Sequence, residues 1–487
     1  MDDSTSLISQ NIYNLLIPTE EQKIKNAEYG TPYKLRKDMI DSLQYINVKY
    51  WESPKKIFEP CCGKGGFLVD IYFKFMYGLK NMIPHDLERS LFIIEECLHF
   101  VDIDSNNIKI CKNLLDSLHT KIYLNLKKQS KSLGNIQHSI LKNTKPKFNC
   151  YIGDVINDNK NNGNKTKNNK NTTSDATTDE NCLLNINIKD DSQLIKLQKY
   201  DLIIGNPPFN ISGKKSTGNT IWQHFVNKSL LFWLNNNGLL LFVSPPGWRK
   251  PNTTRSKYYG LYDLMVKRNN MIHLSIHSWK EGKTLFNCGT RYDWFLIQRK
   301  IENSNHTNYR ETIVNDEKNK TYKVKMWEYD WFPNYNFPMI QTLLVDQNNG
   351  NKEHCPIMYN RSNYGSDKNY VSHENKNNFR FPIIHTIPKK GIRYLYSSTN
   401  NRGHFNIPKV IFSDNGFNDV IIDMNGKYGM SENSMGIRIN SREDGEKIKK
   451  CLMSQKFKDL IQACIMGNYR IDWRLFLYFR RDFYTLL

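Results

Sequence analysis

Residues 201–209 read Asp201-Leu202-Ile203-Ile204-Gly205-Asn206-Pro207-Pro208-Phe209, an acidic residue, an apolar run, and an abrupt Asn-Pro-Pro-Phe stop. A short, continuous apolar run of this kind predicts a parallel strand buried on both faces. Two consecutive prolines have no N–H to give to a strand ladder, so the chain must leave the sheet at Asn206. A carboxamide, a prolyl carbonyl and an aromatic ring are thereby held at the carboxyl end of a strand, where open α/β sheets bind ligands.

That set suits one kind of substrate group. An exocyclic amino group on a planar base has two N–H donors and a lone pair delocalised into the ring. The side-chain oxygen of Asn206 and the carbonyl of Pro207 can accept both hydrogens, which favours a nucleophilic nitrogen without a strong base. Phe209 can stack on the base face, as an extruded base requires. A bland Pro-Pro turn after a strand would read the same way in isolation, so the rest of the chain carries the distinction.

Working outward toward the N-terminus, Phe148-Asn149-Cys150-Tyr151-Ile152-Gly153-Asp154-Val155 predicts a strand ending in Gly-Asp, with Asp154 placed to accept from an amino group. Phe100-Val101-Asp102-Ile103-Asp104 predicts another, and Asp102 sits where a doubly wound fold puts the carboxylate that takes ribose hydroxyls. Residues 56–72 read as strand, Gly-rich turn and helix around Glu59-Pro60-Cys61-Cys62-Gly63-Lys64-Gly65-Gly66-Phe67. Gly63 and Gly65 let backbone pass close to a ligand. The lysine and Ser/Thr of a P-loop are missing, which argues against nucleotide phosphates. An acidic-Pro pair before the turn is a pattern associated with S-adenosylmethionine. In Tyr29-Gly30-Thr31-Pro32, Thr31 is expected to cap a helix with Pro32 at its first position, and in isolation an ordinary capped helix is the better account of this piece. Residues 1–27 predict a helical lead-in.

Toward the C-terminus, Ile221 to Leu234 has helical spacing, and Gly238 to Val243 predicts another buried strand. It runs into Ser244-Pro245-Pro246-Gly247, a decoy for a second catalytic motif that lacks a ring to stack a base. Residues 245–300 hold eleven Lys or Arg against three Asp or Glu. Trp248, Arg249 and Lys250 among them are expected to contact nucleic-acid phosphates. Gly289 to Ile297 predicts the last hairpin strand of the sheet, and Tyr292 or Cys288 is placed to line the base pocket.

Residues 157–181 contain nine Asn and four Lys with Ala176 the sole aliphatic residue, too little apolar surface for a core, and predict a disordered insert in a surface loop. Beyond residue 305 the strand–helix rhythm gives way to short strands and aromatic, Pro- and Asn-rich turns. The expected division is therefore 1–305 and 306–487, the second part α+β. The net charge of +21 favours a polyanionic partner, although an Asn- and Lys-rich composition explains part of it. Ten scattered cysteines without a CxxC pair read as reduced thiols of an intracellular protein. Neither a signal peptide nor an apolar run long enough for a membrane span is evident, and no metal site is expected.

Taken in order, Tyr29-Gly30-Thr31-Pro32, Glu59 to Phe67, Asp102-Ile103-Asp104 with Gly153-Asp154, and Asn206-Pro207-Pro208-Phe209 resemble the gamma-order amino-methyltransferases of DNA. The resemblance covers roughly residues 28–300. It implies a Rossmann-like, seven-stranded, mostly parallel sheet with one antiparallel strand near its edge, followed by an α+β target recognition domain. It implies S-adenosyl-L-methionine as cofactor and N6 of a flipped adenine in DNA as the methyl acceptor. Thr31 and the Gly63–Gly65 turn would hold the methionine end, Asp102 the ribose, Ile103 the adenine ring and Asp154 its amino group. Pro32, Glu59, Pro60 and Val155 belong to the same cofactor set. Asn206, Pro207, Pro208 and Phe209 would be catalytic. A separate restriction nuclease is an expected partner.

Three features depart from the family pattern: Lys64 in the Gly turn, the 43-residue step from Glu59 to Asp102, and the insert. Methylation of RNA adenine or of N4 of cytosine shares the same catalytic chemistry. A catalytically silent nucleic-acid-binding subunit would have no use for the complete residue set.

Overall fold

The computed structural model describes residues 30–132, 144–156, 199–211, 219–287, 289–300, 309–345, 353–376, 378–467 and 470–487. The expected lead-in helix, the Asn-rich insert and Cys288 lie outside them. The chain divides into two compact units: Met1–Pro245 with Thr254–Asn315 and Thr321–Tyr329, and Pro246–Thr253 with Asp316–Lys320 and Asp330–Leu487.

The first unit is built on a sheet whose strands are β1 (Ile57–Glu59), β2 (Leu98–Asp102), β3 (Asn149–Ile152), β4 (Tyr200–Gly205), β5 (Leu234–Ser244), β6 (Asn270–His277), β7 (Tyr292–Gln298), β8 (Thr312–Asn315) and β9 (Thr321–Val324). Their order is β3-β2-β1-β4-β5-β7-β6-β8-β9. Ladders from β3 to β5 are parallel, and β7 runs antiparallel between β5 and β6. The sheet is thus the expected seven strands, extended by a β8–β9 pair beyond β6. This corrects two expectations. β7 is an interior strand rather than part of the last hairpin. The division expected between 305 and 306 also falls later, because β8 and β9 hydrogen-bond into the first sheet.

The apolar runs become central strands because both sheet faces are covered. β1 pairs Ile57 with Leu98 on one side and with Leu202 on the other. These residues join Phe100, Ile204, Leu239, Leu241 and Val243 in one core. Helices α1 (Tyr33–Asp41), α2 (Gly66–Gly78), α3 (Asp86–Phe92), α4 (Ser105–Ser132) and α5 (Trp222–Lys228) follow in the chain. Phe67, Leu68, Ile71 and Phe75 of α2 and Ile108 and Leu115 of α4 face that core, at the spacing of one helix side. After β6, helix α6 (Trp279–Phe286) starts at a capping box in which Ser278 accepts from the Glu281 N–H and Glu281 accepts from the Ser278 N–H. Parallel strands share a direction, so β1, β2, β3 and β4 bring Glu59, Asp102, Gly153 and Asn206 out on one edge.

Among its described residues the second unit holds two four-stranded sheets. One is ordered β10-β17-β14-β15 and the other β11-β13-β12-β16. In chain order the strands are β10 (Ile357–Met358), β11 (Val371–Ser372), β12 (Phe381–Thr386), β13 (Arg393–Ser397), β14 (Lys409–Ser413), β15 (Gly416–Asp423), β16 (Gly429–Met430) and β17 (Ser434–Arg438). Helix α7 (Phe337–Leu343) precedes them, and α8 (Arg442–Met453) and α9 (Gln455–Ala463) follow. Among the described residues, no helix is long and apolar enough to cross a membrane.

Candidate active site

Glu59 ends β1 and is 2% exposed. Its Oε2 has no hydrogen-bond partner among the described residues. Burial, with the thiol of Cys111 and the carboxyls of Asp102 and Asp70 nearby, holds its own carboxyl well above the usual carboxylate range despite the Arg36 guanidinium. A buried carboxylate oxygen without a donor is rare in a finished interior. Here it stands at the mouth of the glycine turn, and it fits a cationic ligand group such as the amino group of an amino acid.

The turn itself is built for close approach. Gly63 and Gly65 adopt φ of +50° and +83°. A Cβ on Gly65 would lie 2.9 Å from Cys111 Sγ. Gly65→Ala is therefore expected to destabilise the first unit by at least about 1 kcal/mol from the left-handed backbone alone. Thermal unfolding of Gly65→Ala with Cys111→Ala should recover the steric part and leave the backbone part. Full recovery would show that the turn is not held left-handed.

Asp102 ends β2 and anchors the turn from the neighbouring strand. One carboxylate oxygen accepts the Gly63 N–H at 2.8 Å, and the other accepts the Asp104 N–H at 2.9 Å and Asn107 Nδ2 at 3.2 Å. Burial pushes its carboxyl upward while these donors oppose the shift. Next to it Ile103 is 63% exposed, an apolar side chain left in solvent at a strand's carboxyl end. Asp104 caps α4 by accepting the Asn106 N–H at 2.9 Å. On the adjacent strand, Gly153 donates to the Asp102 carbonyl at 3.0 Å. Asp154 Oδ1 accepts the Ile156 N–H at 2.8 Å, and the Val155 carbonyl accepts Lys228 Nζ at 2.6 Å.

Thr31 and Pro32 precede α1, but Pro32 occupies the cap position without a side-chain cap. Thr31 is not the capping residue expected from the sequence. Its carbonyl instead accepts Arg36 Nη1 at 2.6 Å, while Arg36 Nε binds Asp70 on α2 at 2.6 Å. Arg36 is 3% exposed and ties the Thr-Pro segment to the helix that follows the glycine turn. Sequence reading missed this pair. Its partners are 34 residues apart and neither stands in a recognisable motif.

β4 delivers Gly205 and Asn206 beside β1. A Cβ on Gly205 would stand 3.6 Å from Cys61 Sγ and 3.9 Å from Glu59 Cγ. Pro207 is buried, while Asn206, Pro208 and Phe209 are half-buried, with Phe209 packed against the core. The chain after Phe209 is pinned. Ile221 N–H donates to the Phe209 carbonyl at 3.1 Å, Ile211 N–H to the Asn219 carbonyl at 2.9 Å, and Asn210 and Thr220 form an antiparallel bridge.

The expected nucleic-acid contacts fare differently. Tyr292 is 1% exposed. Its ring is stacked on His277 at 4.5 Å and meets Phe286 edge-on at 5.1 Å. Trp248 and Arg249 belong to the second unit and are fully buried, so neither is a surface contact. Arg249 donates to the carbonyls of Phe332 and Pro333 and to Asn334 Oδ1 at 2.9–3.1 Å. A guanidinium held by fixed acceptors organises the fold rather than phosphates. Arg249→Lys is expected to lower the stability of the second unit by about 1–3 kcal/mol, because an ammonium cannot reach all three acceptors. An unchanged urea midpoint would refute that role. Lys250 is half-buried, and burial lowers its pKa.

A Rossmann-like sheet with one antiparallel strand inserted beside β6, a glycine turn after its first strand and Asn-Pro-Pro-Phe after its fourth defines a methyltransferase fold. Residues 96–286 match the model of the Eco57I restriction-modification methylase family. A Mycoplasma pneumoniae protein described as an uncharacterized adenine-specific methylase is 27% identical over 235 residues, 42% of this chain and 53% of that protein. The chain thus spans about half the length of that relative. The Type IIL restriction-modification enzyme MmeI in complex with DNA superposes with a TM-score of 0.50 at 11% identity, covering 95% of this chain and 69% of that one. The ATP-dependent Type ISP restriction-modification enzyme LlaBIII bound to DNA gives 0.43 at 11% identity, covering 89% and 35%. The chain is thus similar, over residues 96–286, to adenine-specific restriction-modification methylases.

Proposed function

We propose that this protein is a site-specific DNA methyltransferase that uses S-adenosyl-L-methionine to methylate N6 of an adenine flipped out of the duplex. The observation that carries the reading is the juxtaposition of Gly205-Asn206 with Glu59 and the glycine turn, where adjacent parallel strands end. The family match to restriction-modification methylases and the fold shared with a DNA-bound relative support DNA as the substrate.

Glu59 would meet the cofactor's amino group, the Thr31-Pro32 segment and the Pro60 to Gly65 turn its methionine end, Asp102 its ribose, Ile103 its adenine face, and Asp154 with Val155 the adenine edge. The cofactor supplies an electrophilic sulfonium methyl. Asn206 Oδ1 and the Pro207 carbonyl accept the two N6 hydrogens of the target, and Pro208 fixes the turn that holds them. Phe209 stacks on the target ring. These contacts orient and desolvate the amine. After methyl transfer the cationic nitrogen loses its proton to water or to the Asn206 site, so no strong base is needed. A separate nuclease that cleaves unmethylated sites is the natural partner of such an activity.

Expression in a methylation-free bacterial host, followed by modification-sensitive long-read sequencing of the host DNA, tests this directly. N6-methyladenine at one recurring short motif is the expected result. Methylated cytosine would overturn the base assignment. Absence of any DNA mark from a folded, cofactor-binding protein would overturn the DNA reading in favour of RNA.

A further inference from the structure

The positive charge of the second unit is concentrated in one place. Between Asn375 and Ser413 the chain carries seven Lys or Arg and not one Asp or Glu. One of the seven, Lys409, is fully buried and paired with Asp423 at 2.7 Å, so it plays no surface role. Lys376 pairs with Glu374 at 2.9 Å and Arg402 lies over the Tyr370 ring at 4.1 Å, which leaves Arg380, Lys389, Lys390 and Arg393 on or beside β12 and β13. These strands pair antiparallel from Phe381↔Ser397 to Thr386↔Arg393. Their connection turns at Gly391, which adopts φ +109° and where an added Cβ would meet no atom within 4 Å.

At this tip Lys389, Lys390 and Arg393 are exposed. Along the strands behind them lie three half-buried tyrosines. Tyr394 stands 6.0 Å from Tyr428 with rings 30° apart, and 6.5 Å from Tyr396. Lys427 Nζ lies 5.5 Å over the Tyr428 ring. β16 runs parallel to β12 with Ile383 opposite Gly429, which sets Lys427 near the opposite end of the hairpin from its tip. Six residues of strand span about 20 Å. Lys427 and the tip cations therefore mark the two ends of a row about 20 Å long with aromatic rings between them; residues 375–413 carry no carboxylate, and Glu432, outside them, acts on His385 of β12. Duplex DNA presents about one negative charge every 1.7 Å along its axis.

We propose that the β12–β13 hairpin is the phosphate-contacting element of the second unit, gripping duplex DNA through Lys389, Lys390 and Arg393 at its tip. The proposal rests on the DNA reading above and adds to it which element holds the backbone. The tyrosines offer a flat apolar bed for sugar or base. A buried aromatic core would leave the tyrosines covered, whereas Tyr394, Tyr396 and Tyr428 are only half-buried, and a plain solvated face would intersperse acidic residues.

The test is the salt dependence of duplex binding by the full chain, measured at 50 and 200 mM salt. Lys389→Ala/Lys390→Ala/Arg393→Ala is compared with Arg442→Ala/Lys447→Ala/Lys450→Ala, which removes the same charge from exposed positions on α8. Removing one phosphate-binding cation shrinks the fall in affinity over this range by about 3.5-fold, so the hairpin variant should respond about 40-fold less than wild type. The α8 variant should keep most of the wild-type response. Equal responses from the two variants would mean that only net charge matters and would overturn the proposal. Cofactor binding by each variant reports on folding of the first unit, and melting of the second unit controls for its integrity. A wild-type chain that binds cofactor but no duplex DNA would overturn both readings. Normal wild-type binding with an unaffected hairpin variant would overturn this one alone.

Discussion

Asn206→Ala should abolish methyl transfer, by at least about 10²–10³-fold in kcat, while cofactor affinity stays within about twofold of wild type. The magnitude is that of removing one preorganised polar partner from a desolvated reacting centre. The selectivity follows from position. Asn206 stands one residue beyond β4, half-buried, whereas the residues proposed to hold the cofactor belong to β1, β2, β3, the turns after them and the Thr31-Pro32 segment. Asn206→Asp keeps the size and one acceptor oxygen but adds a charge, and partial activity in that variant would mark hydrogen-bond acceptance as the asparagine's role. Quantitative sequencing of methylated host DNA reads the activity, and calorimetry with the cofactor reads the binding. Retention of full activity by Asn206→Ala would sink the assignment of the catalytic strand end.

The second large effect concerns Glu59, and it has two opposite signs. Burial holds the carboxyl well above its ordinary value in the free protein. Between the ordinary and raised values, the folded state keeps a proton that the unfolded state has released. The contribution to stability is fully present below the unfolded pKa and is lost as pH rises through the folded one. Near neutral and mildly alkaline pH the orphaned carboxyl thus weakens the empty protein. Glu59→Gln removes that titration. It is expected to stabilise the cofactor-free protein by about 1–3 kcal/mol at pH 8, with the advantage shrinking as pH falls toward the ordinary carboxylate range. On the proposed role of Glu59 toward the cofactor's amino group, the same substitution should weaken cofactor binding by about tenfold to hundredfold. Denaturant melts at several pH values and calorimetric titration measure both halves. A variant that loses stability without the cofactor, or binds the cofactor as wild type does, contradicts the assignment.

Much of the first unit could be read from short, local patterns. The apolar runs before Glu59, Asp102 and Asn206 became parallel strands because a strand buried on both faces needs no alternation to be recognised. Gly63 and Gly65 were legible since few other residues tolerate a left-handed turn. What escaped was nonlocal. Nothing beside Arg36 announces Asp70, and nothing beside Arg249 announces the carbonyls of Phe332 and Pro333, so a buried structural arginine looked like a surface cation. β8 and β9 are polar on one side and short, and they look like loop sequence until β6 offers an open edge. The charge on the β12–β13 hairpin was hidden for another reason: averaging over the whole second unit dilutes it.

The pinned ends of the segment after Phe209 bear on how such a protein can change over generations. Asn210 and Thr220 bridge each other, and Ile221 returns to the Phe209 carbonyl, so the Asn-Pro-Pro-Phe turn is closed on itself before the intervening residues begin. Substitutions or changes of length between those anchors need not displace Asn206. Variation there can be sampled by descent, or by an engineer's library, without disturbing the Asn-Pro-Pro-Phe turn beside it.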